Sequence, residues 1–170
     1  MKKILLIAVS LYMFPLYVLS QDITGLWKGT MYNDSTKTSL PYELLIKKEK
    51  GKLTGYTHSW FIIDGKEYYG IKTVKVSVAK DGKIIIKDAS LVENNYPVEP
   101  DKDVHQLNVL DLVSQNEEDM LDGLFVTNRT REFRELTGHI NVKKVNSFTE
   151  SSLIQYLQRK GDDKEAVAVR

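Results

Sequence analysis

Three histidines, two strand-borne acids and one dense group of aromatics are the residues of this chain that could do chemistry. His58, His105 and His139 fall in three different strand-like runs. Imidazoles from separate strands can hold zinc, because ligands need only meet in space. Parity speaks against it: Gly55 and Thr57, and Gly138 and Ile140, occupy the inward phase, which turns His58 and His139 outward as surface residues. Asp111 and Asp122 lie inside strands beside apolar neighbours and could form an acid pair if they stand opposite each other. The plainer expectation is two outward acids near Lys or Arg. The other acids, such as Asp34, Asp64, Asp81 and Asp119, sit in turns, where carboxylates are ordinary. Gly51-Lys52-Leu53-Thr54 ends like a phosphate-binding loop but lacks the upstream glycine and the following helix. Neither a nucleophile-elbow nor a zincin motif occurs. With no cysteine, disulfides, thiolate metal sites and a Cys nucleophile are excluded. The expectation is a non-enzymatic protein without a cofactor. A hydrolase or isomerase survives only if Asp111, Asp122 or a histidine faces an interior cavity.

The aromatics offer more. Trp60-Phe61-Ile62-Ile63 is too apolar for an ordinary exposed hairpin end, and Tyr42, Tyr56, Tyr68 and Tyr69 lie on the neighbouring strands. Such a group could line a concave site for a small hydrophobic or amphipathic molecule, with Met31 and Phe125 as further lining residues. It could equally be core, since an eight-stranded barrel is just wide enough to be filled by its own side chains. Arg129, Arg131 and Arg134 could meet an anionic headgroup at the mouth or form a solvated strand extension.

These residues must be positioned by strands. The first, within 22–32, sets Gly25, Trp27, Gly29 and Met31 on one face, a pattern for a sharply bent strand that lays Trp27 across a floor. Further strands are expected at 40–48, 53–60, 67–79, 83–87, 104–114, 120–127 and 135–145. Asp64-Gly65 and Asp81-Gly82 are hairpin signals, because both residue types tolerate positive φ. Residues 92–103, with Pro97, Pro100 and several acids, break the alternation and read as an extended loop. The form apolar-Thr-Gly recurs at Gly25, Gly55 and Gly138, and nearly at Gly123, as expected where a sheet coils tightly. Eight meandering strands imply an all-β fold, a closed antiparallel up-and-down β-barrel over residues 21–146. A C-terminal helix follows over 147–161, with a capping box from Ser147 to Glu150 and Lys160-Gly161 at its end. Residues 162–170 read as a disordered tail.

Residues 1–20 read as a signal peptide: Lys2 and Lys3 precede an apolar run broken by Pro15, and Val18 and Ser20 precede a cut at Gln21. That run is shorter than a bilayer span needs and contains a proline, so cleavage is expected rather than an uncleaved anchor, leaving no stable membrane span. The whole chain carries a formal charge of +1; the leader holds two lysines and no acid, so the mature chain stands at −1. A near-neutral chain with interspersed signs argues against nucleic acid as partner. The expected location is periplasmic or extracellular.

Gly25-Leu26-Trp27 on the first of eight strands, with a late helix, resembles the lipocalin-like (calycin) proteins. The resemblance covers residues 23–145 as topology and rests in sequence mainly on Gly-x-Trp. It implies a ligand-binding barrel with a basic residue of the last strand packed over the Trp. Lys143 and Lys144 stand where the family usually has Arg, with Lys143 taken as the floor residue beside Gly25 and Trp27. The family's Thr-Asp-Tyr-type motif and its disulfides are missing. The reading is an exported barrel that binds a small hydrophobic or amphipathic ligand, with Trp60, Phe61 and Tyr69 near the mouth. The alternative is a filled barrel that docks another exported protein through the 92–103 loop and the helix.

Overall fold

A computed structural model describes residues 22–161, apart from 101 and 117. The signal-peptide and tail readings fall outside these residues. The strands are β1 (Gly25–Asn33), β2 (Thr38–Glu49), β3 (Lys52–Ile63), β4 (Lys66–Val78), β5 (Ile84–Asn94), β6 (Gln106–Gln115), β7 (Glu118–Thr127) and β8 (Thr137–Val145). Each pairs antiparallel with its sequence neighbour, and β8 pairs with β1, so the sheet closes into an up-and-down barrel. The tight turns follow residue chemistry. Asp64 and Gly65 both take positive φ, 50° and 74°, as a two-residue hairpin needs.

One face of every strand turns inward. Trp27, Leu44, Ile46, Val74, Val76, Ile84, Ile86, Leu110, Leu121, Ile140 and Val142 form one buried cluster in the interior. Coiling the sheet this tightly brings backbones together at inward glycines. A Cβ on Gly55 would stand 1.9 Å from the Leu45 carbonyl oxygen, so that position admits no side chain. Gly123 and Gly138 of the recurring motif meet neighbouring backbone in the same way.

The β5 and helix boundaries depart most from expectation. β5 runs to Asn94 rather than stopping near residue 87, because register shifts at Ile71/Lys72 and Thr73/Val74 let its later residues keep pairing with β4. On its other side β5 pairs with β6 only from Ile84 to Lys87. The β5–β6 seam is therefore the shortest in the ring, and above it the two strands part.

The helix α1 (Ser152–Lys160) begins later than the sequence suggests. Ser151, not Ser147, is its N-cap: the Ser151 hydroxyl accepts from the Ile154 N–H at 3.2 Å. Leu153, Ile154, Tyr156 and Leu157 pack on the outside of the barrel against Leu26, Leu45 and Ile71, a second core beyond the sheet. The molecule thus has two apolar compartments separated by one layer of strand.

Candidate functional site

The two ends of the barrel differ in kind. At the end where β1 begins, the lumen is shut. Trp27 is fully buried, and its indole N–H donates to the Ile23 carbonyl at 3.0 Å, so the segment before β1 folds beneath the ring. The Lys144 ammonium lies 5.5 Å from the centre of the Trp27 ring and donates to the Asp22 carbonyl at 2.6 Å. Lys144 stands opposite Trp27 in the β1–β8 register and shares its inward phase. Lys143 faces out and pairs with Glu118 at 2.6 Å. The floor lysine is therefore Lys144, a correction that follows from strand parity. Gly25 adopts a φ of +116° beside Lys144, which places the start of the strand under the floor.

The opposite half of the lumen is polar. Tyr42 on β2 is 1% exposed, and its phenol oxygen accepts from the Asn108 amide of β6 at 3.0 Å, directly across the interior. The Gln106 amide donates to the Asn108 side-chain oxygen at 2.8 Å and rests against the Met31 sulfur. The Gln106 backbone N–H, at the point where β5 and β6 separate, is taken up by the Asp88 carboxylate at 3.1 Å. Asp88 also accepts from the Lys72 ammonium; its side chain is 8% exposed and that of Lys72 22%. Tyr42, Asn108, Gln106, Asp88 and Lys72 thus form one network from β2 to β4. Burial pushes the Tyr42 phenol far above its ordinary pKa, with the nearby Asp88 charge adding to the rise and the Asn108 hydrogen bond opposing it.

Aromatics roof this network. Tyr96, from the loop after β5, reaches back over Gly70 so closely that a Cβ there would stand 2.0 Å from its hydroxyl. Its ring meets Phe61 edge-on at 4.9 Å between centres, and Phe61 lies parallel to Tyr68 at 6.3 Å. The loop is held there by Asn95, whose side chain accepts from the Tyr69 N–H at 2.7 Å. Burial, then the Asp88 charge, pushes the Tyr96 phenol up to about 12.

Of the six residues expected to line a binding site, Met31, Tyr42, Phe61 and Phe125 belong to the lumen. Trp60 and Tyr69 are on the outer wall. Trp60 stacks on His58 at 3.7 Å, and Tyr69 packs with α1. They cannot meet a lumenal molecule from there, because successive strand residues face opposite sides. The sequence reading missed Lys72, Asp88, Gln106, Asn108 and Tyr96. A signal existed for the first four, which continue the inward phase of Val74 and Val76, of Ile84 and Ile86, and of Leu110.

His58 is not a surface residue. It faces outward but is 5% exposed beneath α1, and its Nε2 has no hydrogen-bond partner. Its Nδ1 stands 3.4 Å from the Ser152 hydroxyl and 3.9 Å from Glu43. Glu43, 5% exposed, accepts from the Leu153 N–H at 2.8 Å and from the Ser151 hydroxyl at 3.0 Å. Ser, His and carboxylate meet, but hydroxyl and carboxylate both approach the same ring nitrogen. A nucleophile needs them on opposite nitrogens. Glu43 instead anchors the start of α1, where a carboxylate complements the helix dipole.

The remaining candidates separate. Asp111 and Asp122 are direct register partners, as an acid pair would require. Each faces out to its own partner: Lys83 at 2.8 Å for Asp111, and Asn141 at 2.6 Å and His139 at 2.9 Å for Asp122. His105 is exposed in the loop before β6 rather than on a strand. Arg129, Arg131 and Arg134 are exposed on the β7–β8 loop. Arg131 lines an open groove with Val98, Glu99, Asp103 and Phe133. No group of three metal-ligating side chains occurs among the described residues.

No protein-family model, no curated protein and no solved structure matches this chain.

Proposed function

We propose that the protein binds one small amphipathic molecule in the upper half of the barrel. The observation that carries this reading is the lumenal network of Tyr42, Asn108, Gln106, Asp88 and Lys72 above an apolar, closed floor. A half-buried ion pair and a buried amide are a poor way to stabilise a barrel, since apolar side chains of similar volume do as well or better. Placed beside Met31, Phe61, Phe125 and Tyr96, they supply what a ligand site needs: mostly apolar walls with a few fixed polar groups. The resemblance of Gly25-Leu26-Trp27 to lipocalin-like proteins, which would place a basic residue over the Trp as Lys144 lies over Trp27, is in keeping with this reading. So does the leader expected at residues 1–20, which would bring the barrel to the periplasm or outside the cell.

Native mass spectrometry of protein purified without detergent tests it. The expected result is an additional mass that leaves on collisional activation and is reduced by Asn108→Leu. A bare polypeptide mass, unchanged when an extract of small apolar molecules is supplied, would sink the reading.

A further inference from the structure

Resting on that binding reading, we propose that the lumenal site selects an uncharged hydroxyl- or carbonyl-bearing amphiphile and rejects an anionic one. The charge balance of the network carries the first half of the argument. Lys72 is the cation that would attract a carboxylate or phosphate headgroup, and Asp88 already holds it. Asp88 is itself nearly buried and is fixed from a second side by the Gln106 backbone N–H. Its charge cannot swing out to solvent without giving up both partners. An anion entering the lumen would meet this carboxylate rather than an open ammonium, and like charges brought together out of water repel. The phenols of Tyr42 and Tyr96 report the same field: Asp88 contributes to holding both in the neutral form.

The second half concerns what the network still offers. The Tyr42 oxygen accepts from Asn108, which leaves its own O–H without an acceptor among the described residues; at 1% exposure that O–H is reached only by a head group that displaces the side chains packed against it. The Gln106 side-chain oxygen likewise has no donor among the described residues, since its amide nitrogen makes the recorded contacts. One free donor and one free acceptor, tied together through Asn108, match a hydroxyl, which can accept and donate at once, or a carbonyl, which uses the donor alone. The roof of Phe61, Tyr68 and Tyr96 is apolar apart from phenolic hydroxyls and suits an aliphatic or aromatic tail.

Two probes that differ only in the head decide the matter. Nitrogen-15-labelled protein is titrated with 1-octanol and, separately, with octanoate near neutral pH, following the side-chain amide signals of Asn108 and Gln106. The expected result is saturable movement of both signals with octanol and affinity for octanoate at least about tenfold weaker. Asp88→Asn, which keeps an acceptor for the Gln106 N–H but removes the charge, should raise octanoate affinity about tenfold and leave octanol nearly unchanged. Lys72→Gln, which leaves Asp88 unopposed, should abolish octanoate binding. Octanoate bound as tightly as octanol by the native protein would overturn the inference and leave the binding reading standing. No movement with either probe, together with a bare mass in the native spectrum, would end both.

Discussion

Asn108 and Tyr42 join β6 to β2 through the middle of the lumen, the Asn108 amide donating to the phenol oxygen at 3.0 Å. These strands are not neighbours in the sheet, so the bond braces the ring across its interior. Removing the phenol oxygen leaves the Asn108 amide buried with one donor unmet. Tyr42→Phe should therefore lower unfolding free energy by about 1–3 kcal/mol, the usual penalty for a stranded buried polar group. Urea denaturation measures it. No loss would mean the brace is replaced by water.

The two tryptophans should separate cleanly. Trp27→Ala removes a fully buried indole from the floor and should cost about 3–5 kcal/mol of global stability. Trp60→Ala removes an outer ring stacked on His58 and should cost about 1 kcal/mol, with the loss concentrated in α1. Hydrogen exchange of the helix amides distinguishes the two. Equal global losses would contradict this assignment.

Acid should loosen the helix. Burial holds the His58 imidazole at a pKa of about 4, well below its ordinary value, against the opposing pull of Glu43. A group depressed in this way is neutral in the folded protein and protonated in the unfolded one, so stability falls as pH drops below about 6.5 and stops falling near the folded value. Glu43, itself paired with Lys28, is the charged group that faces it, and Ser152 is its polar neighbour on α1. Thermal unfolding followed across this range should show the slope, and His58→Phe should flatten it. An unchanged slope in the variant would assign the effect to other groups.

The floor lysine can be identified by substitution. Lys144→Ala removes both the charge over Trp27 and the bond to the Asp22 carbonyl, and should cost about 1 kcal/mol or more. Lys143→Ala breaks an exposed pair with Glu118 and should cost well under that. Chemical denaturation of the two single variants is sufficient, and the reverse order would refute the assignment.

The barrel was legible because its signals are local: alternation, Asp-Gly turns and glycines on one phase are properties of adjacent residues. The lumenal site was half legible. Tyr42 and Phe61 stood out as aromatics on the inward phase, whereas Lys72 and Asp88 looked like ordinary solvated charges. Only their parity with Val74 and Ile86 marks them as interior, and Asp88 sits at a register shift that blurs that parity. Trp60 misled for the opposite reason: an apolar residue near a hairpin suggests a mouth, but strand parity turns it to the outer wall, where it stacks on His58. Tyr96 could not be placed at all, because a loop residue's direction is set by contacts such as Asn95 with Tyr69 that leave no periodic trace.

The short β5–β6 seam gives the ring a designated hinge line. A hydrogen-bonded cylinder distributes thermal motion evenly only when every joint is equally long; here one joint holds four residue pairs and its neighbours hold nine and ten. Local opening is therefore expected to start at β5 and β6, as in a split washer, before it reaches the fully buried floor around Trp27. The carboxylate of Asp88, bonded to the Gln106 N–H, is a side-chain clasp across that split.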